Sequence, residues 1–270
     1  MANPIIIIGA GLTGLSLAYM LEKKRIEYLI LEAKNHIGGR IETIESTKNA
    51  SLEMGATWVH PEPQWLDFLK ELDISLFTQK LGTQAWVDGN SGQKISMEIP
   101  PQAPMYRVKG GTIQIIKNLK KKIAKNAIKT STICHQIKQL DNRDIQINTN
   151  KGTYISDKVI LTLPPKLLAN SINFDPQLSD NYTSEANDCA TWMEYSTKFA
   201  IRFKVQFWNN LPYTLFSQTG LIQEMYEHCS KDGQYFALKG FLNSKCLDLS
   251  PSKREQKVVT ELKSIYKEHF

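Results

Sequence analysis

A glycine-rich run near the N-terminus, with an acid further along, is the clearest chemical signal in this sequence. The run follows the apolar stretch Ile5–Ile8 and consists of small residues: Gly9, Ala10, Gly11, Thr13 and Gly14. Such a run lets a chain leave a strand sharply, approach a pyrophosphate without an intervening Cβ and pack a helix closely on a sheet. Glu32 can accept hydrogen bonds from both ribose hydroxyls and disfavours the 2′-phosphate of NADP. The pattern predicts a dinucleotide site; a glycine-rich turn of an ordinary α/β protein is the alternative.

The elements that must position these residues form one βαβ unit. Ile5–Ile8 has the apolar, β-branched composition of a strand buried on both faces of a parallel sheet. Leu15, Ala18 and Leu21 supply one face of the following helix, and a second strand, Tyr28–Leu31, leads into Glu32. The free N–H groups and the dipole of the helix N-terminus would face the phosphates. Strand, turn, helix, strand and acid are the context that the motif requires.

A second glycine pair narrows the type of dinucleotide. Gly38, Gly39 and Arg40 follow the acid closely, with Ala33 next to it, and a minimal NAD site has no such extension. The segment resembles the extension of FAD-binding oxidases, in which the glycines bring backbone to the diphosphate and the arginine contacts the cofactor. The planar donors of arginine suit an anionic phosphate. A surface turn with a solvated arginine is the alternative.

The next motif makes the resemblance specific. Leu52–His60 contains a row of small residues before an indole: Gly55, Ala56, Thr57 and Trp58. This segment resembles the part of flavin-containing amine oxidases, the monoamine and polyamine oxidases, that runs beside the isoalloxazine ring. A buried strand end with an incidental tryptophan is the alternative. His60 is interpreted as a cavity-lining residue, because the sequence contains neither GxSxG nor HExxH.

Three residues further along acquire roles from the same resemblance. Cys134 corresponds to a position whose backbone contacts adenine, and Thr162 lies at the end of the strand that closes the FAD domain near the flavin. Lys198 stands ten residues before Trp208, as does the family lysine that holds a water against the flavin and is linked to reoxidation by O2. An edge-strand lysine in solvent is the alternative for Lys198.

Composition excludes several other classes of protein. With 270 residues, 41% apolar and 22% charged, the chain is neither disordered, collagen-like nor a Cys-dense scaffold. No apolar run approaches the ~18 residues of a membrane span, so no membrane partner is predicted. The net charge of +6 does not predict a nucleic-acid partner, because the basic run 117–129 has apolar residues at helical spacing. Its lysines are interpreted as a solvated helix face.

The cysteines and the N-terminus indicate a compartment. Cys134, Cys189, Cys229 and Cys246 are far apart and form no CxxC pair, which predicts no metal site and a reduced environment. The chain begins without a basic leader or a small-residue cleavage site. The prediction is therefore a cytoplasmic protein.

The resemblance implies an α/β fold in which a Rossmann-like FAD/NAD(P)-binding domain is interleaved with a mixed-sheet α+β substrate domain. Residues 1–80 and 105–168 are predicted to form the FAD-binding domain, and residues 81–104 and 169–270 the substrate domain. The implied activity is oxidation of a small amine by hydride transfer to FAD, with O2 as acceptor and imine or aldehyde plus H2O2 as products.

Two other interpretations stay open. One is another FAD oxidoreductase on the same scaffold, similar to carotenoid desaturases or protoporphyrinogen oxidases; the other is a non-catalytic dinucleotide-binding protein. Family members continue for well over a hundred residues beyond this point, so the C-terminal part of the family is predicted to be missing and the substrate domain incomplete. A second chain or the missing segment would then complete the FAD site.

Overall fold

The computed structural model describes residues 3–90, 92–191 and 193–270 as a mixed α/β protein. The strands in chain order are β1 (Ile5–Ile8), β2 (Tyr28–Leu31), β3 (Thr43–Ile44), β4 (Leu52–Glu53), β5 (Trp58–Val59), β6 (Leu76–Thr78), β7 (Gln84–Asp88), β8 (Lys94–Glu98), β9 (Tyr106–Val108), β10 (Ile128–Lys129), β11 (Cys134–Gln139), β12 (Ile145–Thr149), β13 (Gly152–Ser156), β14 (Val159–Leu161), β15 (Asn173–Asp175), β16 (Thr197–Phe203), β17 (Thr214–Phe216), β18 (Ile222–Glu227) and β19 (Phe236–Leu242). The helices are α1 (Leu12–Lys23), α2 (Pro63–Glu71), α3 (Ile113–Lys121), α4 (Pro165–Ser171), α5 (Asp180–Asp188) and α6 (Pro251–Tyr266).

The chain divides into two compact units, each built from two separate segments. Unit 1 comprises Met1–Glu42 and Ile113–Trp192, and unit 2 comprises Thr43–Thr112 and Met193–Phe270. These boundaries differ from the predicted domains, because residues 43–80 and 105–112 pair with one another in small sheets of unit 2. Assignment of those residues to an FAD-binding domain stays a prediction.

The sheet that opens unit 1 is parallel, with strand order β10-β2-β1-β14. Its central strand β1 is almost wholly buried, as its isoleucine run predicts, because a parallel strand is covered on both faces. The helix α1 follows β1 directly and buries Leu15, Ala18 and Leu21. The carboxyl ends of β1 and β2 therefore lie side by side, beside the start of α1.

A second sheet of unit 1, in the order β13-β12-β11-β15, shares a core with the first. Ile6, Ile8 and Leu31 from the parallel sheet pack with Ile137 and Ile147 from β11 and β12. The segment from Ile128 to Cys134 does not form one continuous strand. β10 ends at Lys129, where it leaves β2, and β11 begins at Cys134 beside β12.

The core of unit 2 lies between a six-stranded sheet and α6. The strand order is β16-β19-β18-β17-β7-β8. Leu215, Met225 and Leu238 on one face of the sheet pack against Val258 and Leu262 of α6. Because side chains alternate along a strand, the residues next to these point to the opposite face, which α6 does not cover.

Tertiary contacts end two of these elements. The apolar–polar alternation of β16 continues to Phe207, but the strand ends at Phe203, because the chain turns and carries the indole of Trp208 into the core. There Trp208 has 0% exposure, and its Nε1 donates to Glu227 Oε2 at 3.0 Å. α3 ends at Lys121, and just beyond it Ala124 N donates to Glu22 Oε2 at 3.1 Å rather than to a helical carbonyl.

Helix length also bears on the prediction that no membrane is involved. Within the described ranges, no helix combines the length and apolar character needed to cross a bilayer. The cytoplasmic location stays a prediction.

Candidate functional site: a glycine-lined helix start and a lysine-bearing sheet face

The turn between β1 and α1 in unit 1 brings backbone atoms very close together. A Cβ added at Gly14 would lie 2.0 Å from Gly9 O and 3.0 Å from Thr162 Oγ1. Gly9 has φ +107°, a conformation that side chains disfavour. Thr162 fixes the end of β1, because its hydroxyl donates to Ile8 O at 2.9 Å. Backbone geometry thus explains why glycine stands at positions 9 and 14, and the hydrogen bond to Ile8 explains the hydroxyl of Thr162.

The fold does not require a glycine at position 11. Gly11 precedes α1 with φ −75°, which any residue adopts, and a Cβ there would contact only Gly39 Cα, at an ordinary 3.8 Å. Among the described residues, no side chain accepts a hydrogen bond at this cap, so the first N–H groups of α1 have no side-chain cap. Thr13 is exposed in the first turn of the helix. A backbone kept bare at a helix start is what an anionic group requires.

The second glycine pair lies against the first. Gly38 N donates to Ala10 O at 2.9 Å, and a Cβ at Gly39 would lie 3.1 Å from Gly11 Cα. The two predicted phosphate-binding segments are therefore adjacent in the fold. Arg40 is exposed at their edge, where its guanidinium is available to an anion.

Glu32 closes the nucleotide side of the turn. Its carboxylate is buried at 9% exposure and accepts from Ala10 N at 2.7 Å and from Lys34 N at 2.9 Å. The acid thus stands directly beside the glycine turn, as the motif predicts, with Ala33 exposed next to it. The chain returns past this point, since Thr132 N donates to Glu32 O at 2.9 Å shortly before Cys134, which is buried.

These residues fit a dinucleotide cofactor. The start of α1 has no side-chain cap within the described residues, a Cβ on Gly11 would meet only Gly39 Cα at ordinary contact distance, and a buried acid stands at the end of β2. Each feature matches one part of the ligand: diphosphate, close backbone approach and ribose.

Unit 2 contains the remaining predicted residues, which lie around one short segment, Gly55–Trp58. Lys198 Nζ donates to Gly55 O, and Thr57 Oγ1 donates to the same carbonyl at 3.3 Å. Trp58 packs edge-on against Tyr226, with ring centroids 4.8 Å apart. Ala56 is exposed beside them, and its carbonyl accepts from Thr112 Oγ1 at 2.9 Å. The structure brings Lys198 to the motif segment although the two are distant in sequence.

Lys198 begins a row of residues that crosses the whole six-stranded sheet. The strand registers pair it with Phe241, Phe241 with Glu224, and Glu224 with Phe216. Phe216 is paired in turn with Val87, and Val87 with Ile95. The first five point away from α6, because their strand neighbours belong to the cluster that packs on that helix. Ile95 is on the same face because it pairs directly with Val87.

The charges of this row are partly buried. Lys198 Nζ lies 5.1 Å from the centroid of the Phe241 ring, and burial lowers the pKa of this lysine. Burial likewise raises the pKa of the Glu224 carboxyl, which lies beyond Phe241 on the same face. Contact between Lys198 and a flavin-bound water stays a prediction. In the structure, the ammonium of Lys198 donates to the carbonyl of Gly55.

A buried polar cluster lies beneath the motif segment. Glu53 has 0% exposure; its Oε1 accepts from Thr112 N at 2.6 Å, and its Oε2 lies 3.8 Å from both Arg107 Nε and His228 Nε2. Arg107 also places a guanidinium nitrogen 3.2 Å from His228 Nε2. Because arginine has only donors, this nitrogen of His228 accepts, and the imidazole is neutral. Burial and the positive charge of Arg107 both lower the pKa of His228, which is consistent with a neutral imidazole.

Sequence reasoning missed this cluster and also Lys239. Lys239 has 0% exposure on β19, and its Nζ donates to Thr57 Oγ1. A lysine in the middle of the otherwise apolar run Tyr235–Leu242 was a usable signal. Glu53, Arg107 and His228 gave no such signal, because they lie on separate strands or loops and meet only in the folded chain.

A cavity of about 770 Å³ lies elsewhere in unit 2. Trp86 and Lys94 line it from β7 and β8, and Glu261, Ile265 and Tyr266 line it from α6. It is on the α6 side of the sheet, and no predicted site residue borders it.

Comparisons with known proteins bear on the family and the fold. A sequence profile described as flavin containing amine oxidoreductase matches residues 96–270, and one described as NAD(P)-binding Rossmann-like domain matches residues 7–72. A curated flavin-containing amine oxidase of Oncorhynchus mykiss is 35% identical over 57 residues, which cover 21% of this chain and 11% of that protein. The chain therefore matches only a small part of the length of such a relative.

Solved structures extend the likeness to the whole chain. Cyclohexylamine oxidase from Brevibacterium oxydans superposes with a TM-score of 0.84 at 12% identity, over 100% of this chain and 82% of that one. Putrescine oxidase bound to putrescine gives 0.82 at 16% identity, over 98% and 82%. At these identities the likeness concerns the fold, and it confirms the predicted fold class.

Proposed function

Because this chain belongs to the flavin containing amine oxidoreductases, whose cofactor is FAD, we propose that it binds FAD and oxidises an amine. FAD, when bound, supplies the acceptor for a hydride from the carbon that carries the amine nitrogen, with O2 as final oxidant. The observation that carries the proposal is Lys198, which the fold holds on the carbonyl of Gly55 in the motif segment.

Unit 1 supplies the nucleotide contacts in this proposal. The uncapped N–H groups at the start of α1 and the bare backbone of Gly11 hold the diphosphate, and Arg40 adds a positive charge. Glu32 accepts from the ribose, next to Ala10. Backbone atoms near Cys134 contact the adenine, which needs no particular side chain there.

Unit 2 supplies the amine-binding surface in this proposal. Phe241 and Phe216 lie on either side of Glu224 in the row that starts at Lys198; Phe241 is buried and Phe216 is exposed. A half-buried carboxylate between aromatic rings is costly unless a cation compensates it. An alkylammonium nitrogen satisfies Glu224 electrostatically, while its carbon chain lies on the exposed ring of Phe216.

The test begins with cofactor binding. The purified chain is incubated with FAD and desalted, and its absorbance in the flavin region is measured. We expect retained flavin in the parent and loss of retention when Arg40 and Glu32 are both replaced by alanine. A chain that retains no flavin contradicts the proposal and favours the non-catalytic interpretation.

The second stage measures peroxide release with primary amines, diamines and amino acids. We expect peroxide with at least one amine, and a strong decrease in Lys198→Met at unchanged FAD content. Flavin retention with no peroxide from any amine contradicts the amine assignment and favours the desaturase-like or protoporphyrinogen-oxidase-like interpretation. Lys204→Met is the matched control, because Lys204 is an exposed lysine just beyond β16.

A further inference from the structure

Lys239 is a second lysine of the same sheet face, and it is completely buried. Of the described lysines it alone is buried, with 0% exposure in the interior of β19. Its strand neighbours on the sheet are Ala200 on one side and Tyr226 on the other. Its Nζ donates to Thr57 Oγ1, which is 5% exposed. A buried lysine is rare without a carboxylate partner, so this position calls for a functional explanation.

Lys239 and Lys198 act on the same short segment. Lys198 Nζ donates to Gly55 O, Thr57 Oγ1 donates to that carbonyl at 3.3 Å, and Lys239 Nζ donates to Thr57 Oγ1. Lys198 is paired with Phe241, two residues along β19 from Lys239, so the two lysines are diagonal cross-strand neighbours. Such neighbours have Cα atoms about 7–8 Å apart and reach one another through long side chains.

The surrounding charges do not balance. Lys198 and Arg107 are cationic groups that oppose a charge on Lys239, and Glu53 is the carboxylate that favours it. His228 is neutral, as its acceptor role toward Arg107 requires, and Tyr226 is a phenol whose pKa burial raises. Glu224 lies on the same face, diagonal to Lys239 across β18 and β19. Three cations therefore face two carboxylates, of which Glu53 favours the charge on Lys239.

Repulsion and burial together favour removal of one proton. Lys239 is the more deeply buried of the two lysines, so desolvation opposes its charged form more strongly. Burial, reinforced by the charge of Lys198, lowers the pKa of Lys239 to about 7. The pKa of Lys198 is also lowered by burial, while Glu53 acts in the opposite direction.

We infer that Lys239 is a positioning residue for Lys198: the two amino groups titrate as a pair linked by Gly55–Thr57, and Lys239 gives up its proton first. The proton leaves Nζ for solvent as the pH rises. Neutral Lys239 then accepts a hydrogen bond from the Thr57 hydroxyl, which releases Gly55 O to Lys198 alone. The pair keeps one positive charge, fixed on Lys198.

The consequence for an amine substrate rests on the proposed function. With both lysines charged, the face carries an extra positive charge that repels an incoming ammonium. With Lys239 neutral, that repulsion falls while Lys198 stays anchored. Amine binding should therefore weaken as the pH falls through the Lys239 transition.

The coupling is tested without any activity measurement. The full chain is labelled with 13C at lysine Cε and titrated by NMR, and the Lys239 signal is identified by its loss in Lys239→Met. We expect a Lys239 midpoint near neutral pH in the parent, an increase in proton affinity of at least about tenfold in Lys198→Met, and no change in Lys204→Met. A Lys239 midpoint above pH 9 in the parent, or an unchanged midpoint in Lys198→Met, overturns the inference.

The substrate role has a separate readout. In the FAD-loaded chain, kcat/KM for an active amine should decline below the Lys239 midpoint in the parent, and Lys239→Met should lack this decline. A purely structural role for Lys239 would lower activity equally at all pH values, and that result would overturn the role in amine binding. If no amine is oxidised, the proposed function fails, while the NMR result still decides the coupling. If Lys239→Met does not fold, the parent is compared with Lys198→Met instead. The signal that disappears in Lys198→Met belongs to Lys198 and is excluded. Among the remaining signals, one with a midpoint near neutral pH in the parent and a raised midpoint in Lys198→Met supports the coupling, and the absence of such a signal overturns it.

Discussion

Replacing Gly14 with alanine places a methyl carbon 2.0 Å from Gly9 O, where ordinary contact begins at 3.4 Å. The helix start and the end of β1 must therefore separate by about 1.4 Å, or strain must be absorbed locally. Overpacking of this kind costs roughly 3 kcal/mol, and the better helix propensity of alanine returns about 1 kcal/mol. We expect Gly14→Ala to lower the free energy of unfolding by about 2 kcal/mol.

Gly11→Ala is the matched control, because the same methyl group meets no protein atom closer than Gly39 Cα at 3.8 Å. The residue has φ −75°, so no backbone strain arises, and the expected change in stability is within about 0.5 kcal/mol. The methyl group does occupy the face over which the diphosphate is proposed to lie. FAD affinity should therefore decrease at least about tenfold.

Urea unfolding followed by tryptophan fluorescence measures the first effect, and FAD titration followed by flavin fluorescence measures the second. Gly14 is thus required by the fold, whereas Gly11 is required by the proposed ligand. A Gly14→Ala variant as stable as the parent, or a folded Gly11→Ala variant that binds FAD with parental affinity, would refute this distinction.

The remaining predictions concern unit 2. Lys198→Met should slow reoxidation of reduced flavin by O2 in stopped-flow measurements; parental reoxidation would remove Lys198 from that step. Glu224→Gln should raise KM for cationic amines about tenfold or more while kcat changes little, because it removes a charge-assisted contact to the ammonium; an unchanged KM contradicts that contact. The Lys239 pKa is lower in the folded state, so between about pH 7 and 10 the unfolded chain binds more protons and stability rises with pH. Lys239→Met should abolish this rise, roughly 2 kcal/mol between pH 7 and 9, in urea unfolding; a rise that persists contradicts it.

The nucleotide half was predictable from sequence because its determinants are local. Gly9 to Gly14 form one continuous turn, and Glu32 follows one helix and one strand later. Each residue type is dictated by backbone geometry or by the ligand's charge, and neither depends on distant parts of the chain. The structure adds which glycine serves which purpose, since the close contact is at Gly14 and the open one at Gly11.

Strand ends in unit 2 were less predictable. The alternation that begins at Lys198 continues to Phe207, yet β16 ends at Phe203. The aromatic residues beyond the strand turn inward. Trp208 therefore lies outside the sheet, and its indole donates a hydrogen bond to Glu227. Periodicity reports which side chains are apolar, and tertiary packing decides whether they stay in a strand.

Lys198 shows most clearly what a motif conveys and what it omits. Its spacing from Trp208 identifies the residue, but its pKa is lowered by burial and raised by Glu53 of β4. The proposed partner in its titration is Lys239 of β19, whose pKa the charge of Lys198 lowers. A lysine with the right spacing but an apolar residue at position 239 would lack a titrating partner, so it would keep the same contact with Gly55 O but not the same pH dependence. In this proposal, the pH dependence of the motif lysine is therefore set by a residue that lies outside the motif.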